Sequence, residues 1–334
     1  MKKVAVVILN WNGSELLRQY LPSVIYNTPS SIADIIIADN GSTDNSIQYL
    51  NSIEGVRVLP LLDNYGFAGG YNRAIDQLDY PYILLLNSDV RVSPNWLEPL
   101  VQFMTDHPEV VAVQPKILWD RDPSKYEYAG AEGGYMDRLG YPFCRGRIFD
   151  TLEESDGQYG SEPKRIFWTS GAAMLVRREA YVNQGGLDEH FFAHQEEIDL
   201  CWRWNCEGHQ LYVVPESVVF HYGGASLDME DPRKTFLNFR NNLLMLHKLL
   251  PKKVLAWTMV RRFFLDRLAA LVFLVKGKRG DALAVYKAWW AFWMRPSRRT
   301  RGIDRLKGYQ VLYPKVLLWR YHIKKEKRYS HLKQ

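Results

Sequence analysis

The chain has 334 residues, too long for a peptide module and enough for one large domain or two. Hydrophobic residues at 47% and charged residues at 24% exclude wholesale disorder. Cys144, Cys201 and Cys206 have no C-x-x-C spacing, which excludes a disulfide scaffold and a cysteine zinc site and makes a reducing compartment the expectation. The net charge of +6 conceals an asymmetry: residues 251–334 carry 22 basic and 4 acidic side chains, leaving a balance of −12 on residues 1–250. An acidic body with a basic tail points to an anionic partner, phospholipid or nucleic acid. Five of the 11 tryptophans (Trp257, Trp289, Trp290, Trp293 and Trp319) lie in that tail, which favours a membrane interface.

The apolar run Val4–Leu9 follows two lysines, as in a signal peptide, but it stops at Asn10-Trp11-Asn12-Gly13 without a small-residue cleavage site. It reads as a buried strand. Further buried strands are predicted at Ile35–Ala38, Val56–Leu62, Tyr82–Leu86 and Val110–Gln114. Helical spacing falls between them, at Glu15–Val24, Asn45–Ile53, Gly70–Leu78 and Asn95–Asp106, the last with a cap and early proline from Ser93-Pro94. Strand–helix repetition predicts an α/β fold with a mostly parallel sheet covered on both faces, whose ligands gather at the carboxyl ends of the strands. Residues 120–166, with seven glycines between Gly130 and Gly160, read as loop. Structure resumes at Phe167–Val176, with a helix at Glu196–Gly208, a strand at Leu211–Val214 and a helix at Arg233–Leu250. Val254–Val275 is long enough to suggest a membrane span, but Arg261, Arg262, Asp266 and Arg267 sit in its middle. Thr258, Arg261, Arg262 and Asp266 form one helical stripe, so the segment reads as an amphipathic helix, lying on a membrane or packed on the body.

The polar clusters sit where strands end. Asp39-Asn40-Gly41-Ser42-Thr43-Asp44 reads either as a turn with a helix cap or as an acceptor for a base or ribose. Asn64 to Asn72 is a glycine-rich loop entering a helix, suited to close approach of a diphosphate but matching neither the dinucleotide fingerprint nor a P-loop. Asn87-Ser88-Asp89 sends two oxygen-bearing side chains to one side of a strand end, where a carboxylate with phosphate and water oxygens suits Mg²⁺ or Mn²⁺. Glu196, Glu197 and Asp199 crowd a helix start; the helix dipole explains them, and so does mutual elevation of pKa toward a working base. His221 closes a strand, either as a packed residue or as a ligand.

Taken in order, these motifs resemble those of family-2 glycosyltransferases of the GT-A fold, and most closely the bacterial branch that includes rhamnosyltransferases of polysaccharide assembly. The resemblance covers about residues 3–245. It implies a GT-A domain over residues 1–250, with a nucleotide-binding half to about 120 and an acceptor half over about 165–250; the charge and tryptophans of residues 251–334 add a basic helical membrane-associating tail. It further implies inverting transfer, without a covalent sugar–enzyme intermediate, from a UDP- or dTDP-sugar to a saccharide or lipid-linked acceptor. Asn10, Asn12, Asp39, Asn40, Gly69, Asn72, Asn87 and Ser88 would line the nucleotide pocket. Asp89 falls on the metal-binding D-x-D, with Asn87 in place of its first aspartate, and His221 on the second metal ligand, for Mg²⁺ or Mn²⁺. Gly171 and Ala172 match a step between donor and acceptor, and Arg240 and Asn241 a pair near the diphosphate or acceptor. Glu197 takes the place of the catalytic base, with Glu196 as rival.

Two other classes use similar parts. A sugar nucleotidyltransferase would carry its glycine-rich loop with a basic residue after the first strand, where Asn10-Trp11-Asn12-Gly13 has none. A non-catalytic binding protein would have no use for Asp89, Glu197 and His221 together. The expected setting is cytoplasmic, on the inner face of the plasma membrane, with an anionic membrane surface and not nucleic acid as the tail's partner. A chain ending near Leu250 is expected to stay soluble and bind donor, and Arg298, Arg299 and Arg301 to meet lipid headgroups.

Overall fold

The computed structural model describes residues 3–223, 231–295, 299–300 and 302–332; Gly224, Arg298 and Arg301 lie outside the described residues. The first four strands, β1 (Val4–Asn10), β2 (Ala33–Asp39), β3 (Val56–Pro60) and β4 (Tyr82–Leu86), alternate with α1 (Ser14–Asn27), α2 (Ser46–Leu50) and α3 (Gly66–Asp76). They pair in parallel in the order β3-β2-β1-β4. Alternate residues of β1 feed two apolar layers. Ala5 and Val7 meet Tyr71 and Ile75 of α3 on one face, and Val4, Val6 and Ile8 meet Leu17 and Leu21 of α1 on the other. This is the doubly covered sheet that the alternation of strand and helix predicts.

β5 (Val90–Val92) and α4 (Glu98–Asp106) lead into the long β6 (Val110–Trp119). Helix α4 starts three residues later than expected, and Pro99, not Pro94, sits in its first turn. Residues 120–166, expected as loop, hold β7 (Asp122–Tyr126), a separate four-stranded sheet of β8 (Gly134–Met136), β9 (Pro142–Cys144), β10 (Arg147–Ile148) and β11 (Thr151–Leu152), and β12 (Lys164–Ile166). The glycines there admit aromatic rings against the backbone. A Cβ on Gly134 would stand 2.1 Å from the Trp168 ring, and one on Gly146 2.5 Å from Tyr126.

β13 (Ala173–Arg177) enters the large sheet between β4 and β6, antiparallel to both. α5 (Arg178–Asn183) and α6 (Glu196–Glu207) follow, and β14 (Gln210–His221) then runs parallel to β6.

The rest is helical: α7 (Pro232–Leu249), α8 (Lys252–Val275), α9 (Arg279–Met294), α10 (Arg305–Gln310) and α11 (Leu317–His322). Val285, Trp289 and Phe292 of α9 join the apolar cluster that contains Leu243, Met245 and Leu246 of α7. The helices after residue 251 therefore complete the core of the body. A chain ended near Leu250 would bare this apolar surface of α7. On α8 the polar stripe faces inward: Thr258, Arg262 and Asp266 are buried, and only Arg261 of the four is exposed. Arg262 can be buried because its hydrogen bonds are met, by Asp266 Oδ1 at 3.1 Å, Leu139 O at 3.0 Å and Asn242 Oδ1. Asp266 Oδ2 accepts from Trp289 Nε1 at 2.9 Å. Trp257, Phe264, Leu268 and Leu271 point outward instead, Phe264 with 67% of its surface exposed. Among the described residues no helix is long and apolar enough to cross a membrane.

Candidate active site

Parallel strands deliver their carboxyl ends to one edge, and Asn10 pairs in register with Asp39 there. Asn10 Nδ2 donates to Asp39 Oδ1 at 2.9 Å and to Ser42 Oγ at 3.1 Å, and the Ser42 N–H donates to Asp39 Oδ2 at 3.0 Å. Asn12, held at φ +50°, accepts the Thr43 N–H at 2.7 Å. Asn40 donates to Gly66 O at 3.2 Å and accepts the Tyr65 N–H at 3.2 Å. Asn10, Asn12, Asp39 and Asn40 thus knit three turns into one rim, with Trp11 exposed upon it. Asn72 is not brought to that rim. Its amide is spent on Leu187 and the Tyr181 hydroxyl, at 2.9, 3.0 and 2.7 Å, tying α3 to the chain after β13. Gly69 lies within α3 beside the Arg73–Glu189 ion pair.

Asn87 and Ser88, both half-buried, leave β4, and the buried Asp89 opens β5. Because β5 pairs with the end of β14, Val90 stands opposite His221. That register puts Asp89 Oδ1 3.1 Å from His221 Nε2, with Asn87 Nδ2 3.4 Å from the same nitrogen. The far ring nitrogen, Nδ1, lies 3.3 Å from Glu127 Oε1. Burial pushes the His221 pKa down, but the Asp89 and Glu127 carboxylates outweigh it and hold the imidazole well above its ordinary value. Burial likewise works against the Asp89 charge, and His221 more than offsets it, so that carboxylate stays below its usual range. Among the described residues no three His, Cys, Asp or Glu side chains converge as a ready-made cage. One carboxylate and one imidazole nitrogen aimed at each other nevertheless fit a divalent cation that takes its remaining ligands from a diphosphate and water.

The candidate base follows a strained turn. Phe192, His194 and Gln195 all have positive φ, at +64°, +69° and +70°. Asn241 holds them there: its Nδ2 donates to the carbonyls of Phe191, Ala193 and His194 at 3.1, 2.8 and 2.7 Å, and its Oδ1 accepts from Arg240 Nε at 2.9 Å. Arg240 and Asn241 therefore brace the turn from behind. A relay that sequence reasoning missed extends this brace, since Asn242 Nδ2 donates to Gln195 Oε1 at 3.1 Å and Asn242 Oδ1 accepts from Arg262 of α8.

Glu196 is only 4% exposed, and burial together with the Glu197 charge pushes its pKa well up. Glu197 is half-buried, and burial raises it to about 7. It lies beside Gly171: a Cβ on that glycine would stand 3.8 Å from Glu197 Cβ and 3.4 Å from the Phe67 ring. Ala172 O in turn accepts the Asn87 N–H at 3.0 Å. Glu197, Gly171, Ala172, Asn87, Asp89 and His221 thus form one continuous line along the sheet edge. Asp199 is not part of it, because its Oδ2 accepts from Arg203 and Lys248, both at 2.8 Å. Glu127 gave no signal in sequence, since it lies in the stretch that reads as loop.

A family model described as glycosyl transferase family 2 matches residues 5–181. The N-acetylglucosaminyl-diphospho-decaprenol L-rhamnosyltransferase of Mycobacterium tuberculosis is 30% identical over 236 residues, covering 65% of this chain and 75% of that protein. The rhamnosyltransferase WbbL of Escherichia coli K12 is 26% identical over 227 residues, covering 66% and 83%. Among solved structures, GalNAc-T7 with UDP, GalNAc and Mn²⁺ is similar with a TM-score of 0.59 at 19% identity, covering 84% of this chain but only 54% of that one. Staphylococcus aureus TarS (1–349) with UDP-GlcNAc is similar with a TM-score of 0.55 at 16% identity, covering 87% and 80%. At these identities the structural likenesses speak for the fold alone, which is GT-A.

Proposed function

The chain belongs to glycosyl transferase family 2, and from that membership we propose that it transfers a rhamnosyl or related hexosyl group, with inversion, from a UDP- or dTDP-sugar to a lipid-linked saccharide. Its place is in cell-surface polysaccharide assembly. The rhamnosyl activities of the Mycobacterium and Escherichia relatives support the sugar, and the diphospho-decaprenol in the former's name supports the lipid-linked acceptor. The observation that carries the reading is the unbroken line from Glu197 through Gly171, Ala172 and Asn87 to the Asp89–His221 pair. It sets a base and a cation site on either side of a residue without a side chain.

The residues divide the work. Asp39 and its hydrogen-bonded rim receive the base and ribose. Asp89 and His221 would hold Mg²⁺ or Mn²⁺, which supplies positive charge to the departing diphosphate. Gly171 leaves room for sugar and acceptor to meet. Glu197, poised near neutrality by burial, accepts the proton of the acceptor hydroxyl, while Glu196 lies enclosed by the core behind it. Arg240 and Asn241 fix where Glu197 stands. A thermal-shift panel of dTDP- and UDP-sugars with and without Mn²⁺ tests this reading, because a ligand at 100 times its Kd adds about 2.7 kcal/mol to the native state. Stabilisation by nucleotide sugars of one base, dependent on Mn²⁺, is expected. No stabilisation by any of them contradicts the reading.

The same reading places the enzyme peripherally on the cytoplasmic face of the membrane. The outward residues of α8 and α9, including Trp257, Phe264, Leu271, Trp290 and Trp293, are large and apolar, and exposed Lys252, Lys253, Arg261, Lys276 and Lys287 accompany them. Shallow insertion of the former and headgroup contact by the latter, at about 1 kcal/mol per basic residue, give reversible binding without a span.

A further inference from the structure

We infer that Glu127 is a positioning residue for the cation site, acting through His221; the inference rests on the metal reading of Asp89 and His221. The imidazole stands between two carboxylates. Nε2 faces Asp89 Oδ1 at 3.1 Å, and Nδ1 faces Glu127 Oε1 at 3.3 Å. Glu127 is itself fixed in place. Its backbone N–H donates to Ile117 O at 3.1 Å, and its Oε2 accepts the Ala129 N–H. The Glu127 side chain is 4% exposed and that of His221 8%, so the protein and not bulk water decides how this ring is oriented. Gly223 closes the other side: a Cβ there would stand 3.2 Å from Glu127 Oε1.

A neutral imidazole carries one N–H, and it ligates a cation only through the nitrogen without it. For Nε2 to present its lone pair toward Asp89, the proton must rest on Nδ1, and an acceptor must lie in that direction. Glu127 Oε1 is the carboxylate oxygen in that direction, at 3.3 Å an ion-pair contact that lacks the alignment of a full hydrogen bond. It selects the tautomer, holds the plane of the ring, and raises the donor strength of Nε2. The carboxylate is placed by the turn after β7, so a stretch without a motif supplies the support for a ligand at the end of β14.

Glu127→Gln tests the contact with little change of shape. One amide oxygen must then serve both the Ala129 N–H and the His221 Nδ1–H, and one of the two goes unmet. The readout is Mn²⁺ binding to the full chain in the presence of UDP, followed through the electron paramagnetic resonance of free Mn²⁺, with Asp89→Ala as reference. Glu127→Gln should weaken Mn²⁺ affinity by about 10–100-fold, the usual cost of losing such a support, with unchanged circular dichroism and a Tm lower by only a few degrees, the cost of one unmet buried donor. Glu127→Asp keeps the charge but shortens the reach, and should also lose affinity. It carries the test if the Gln variant does not fold. Wild-type Mn²⁺ affinity in either folded variant, with binding lost in Asp89→Ala, overturns the role of Glu127 and leaves the metal reading standing. Wild-type affinity in Asp89→Ala overturns the metal reading itself.

Discussion

Glu196 and Glu197 are neighbours on a helix, so their side chains leave its axis about 100° apart and meet different surroundings. One is enclosed by the core and the other lies beside Gly171, which is why the sequence alone left them rivals while their environments separate them. With Glu197 raised to about 7, a base must lose its proton before it can work. The rate of sugar transfer is therefore expected to climb with pH through about 7 and then level off, measured as kcat at saturating donor and metal. A profile already flat from pH 5 would assign the role elsewhere. Gly171→Ala makes a complementary test. Its Cβ would meet Phe67 at an ordinary 3.4 Å, so Tm should hardly change, while the methyl narrows the space above Glu197 and should raise the KM for acceptor. Asp39, Asp89 and His221 were legible in sequence because strand ends in a parallel sheet share one edge. Glu127 was not, because nothing local marks a carboxylate whose partner lies on a distant strand. Asn72 and Asn241 show the converse: an amide in a motif can be occupied in bracing the protein's own backbone and side chains.

At the scale of elements, α7 fastens the site. Lys248 Nζ bridges Asp188 Oδ2 at 2.7 Å and Asp199 Oδ2 at 2.8 Å, joining α7 to α6 and to the chain before the strained turn. Burial works against the Asp188 charge, but Lys248 prevails and holds the carboxyl at about 2. A carboxylate depressed in the folded state stabilises it above the unfolded value near 3.9, and that contribution fades as pH falls toward 2. Lys248→Met should cost about 3 kcal/mol, the low end for breaking a buried pair because Asp199 keeps Arg203, and should flatten the loss of stability between pH 4 and about 2. Urea unfolding across that range checks both; an unchanged midpoint contradicts the brace. The parallel strands and their helices were readable because each is a run long enough to show its period. The short strands between residues 120 and 166 were not, since two or three residues show no alternation and their glycines imitate loop. The packing of Trp168 and Tyr126 against bare backbone, which explains those glycines, is a tertiary fact.

Across the whole molecule, the charge asymmetry marks a basic C-terminal stretch but carries no sign of how it packs on the body. Helix α8 turns its charged stripe inward, where Arg262 reaches Asn242 and through it Gln195, two residues before Glu197. Helix α9 covers α7. A chain ending at Leu250 should consequently aggregate or bind no donor, as tested by gel filtration and thermal shift; a monodisperse, donor-binding fragment would contradict the shared core. Membrane association has to be measured on the full chain. Trp257→Ala with Trp290→Ala, at sites 60% and 65% exposed, should weaken co-sedimentation with anionic vesicles while leaving Tm unchanged. Equal sedimentation of variant and wild type would remove these rings from the interface. The claim on which everything else depends is that Glu197 is the base of a glycosyl transfer, and Glu197→Gln in the full chain tests it most directly. Donor affinity should stay as in the wild type while single-turnover transfer falls by about 10²–10⁴-fold. Near wild-type transfer in that variant, with the loss found in Glu196→Gln instead, would contradict the account.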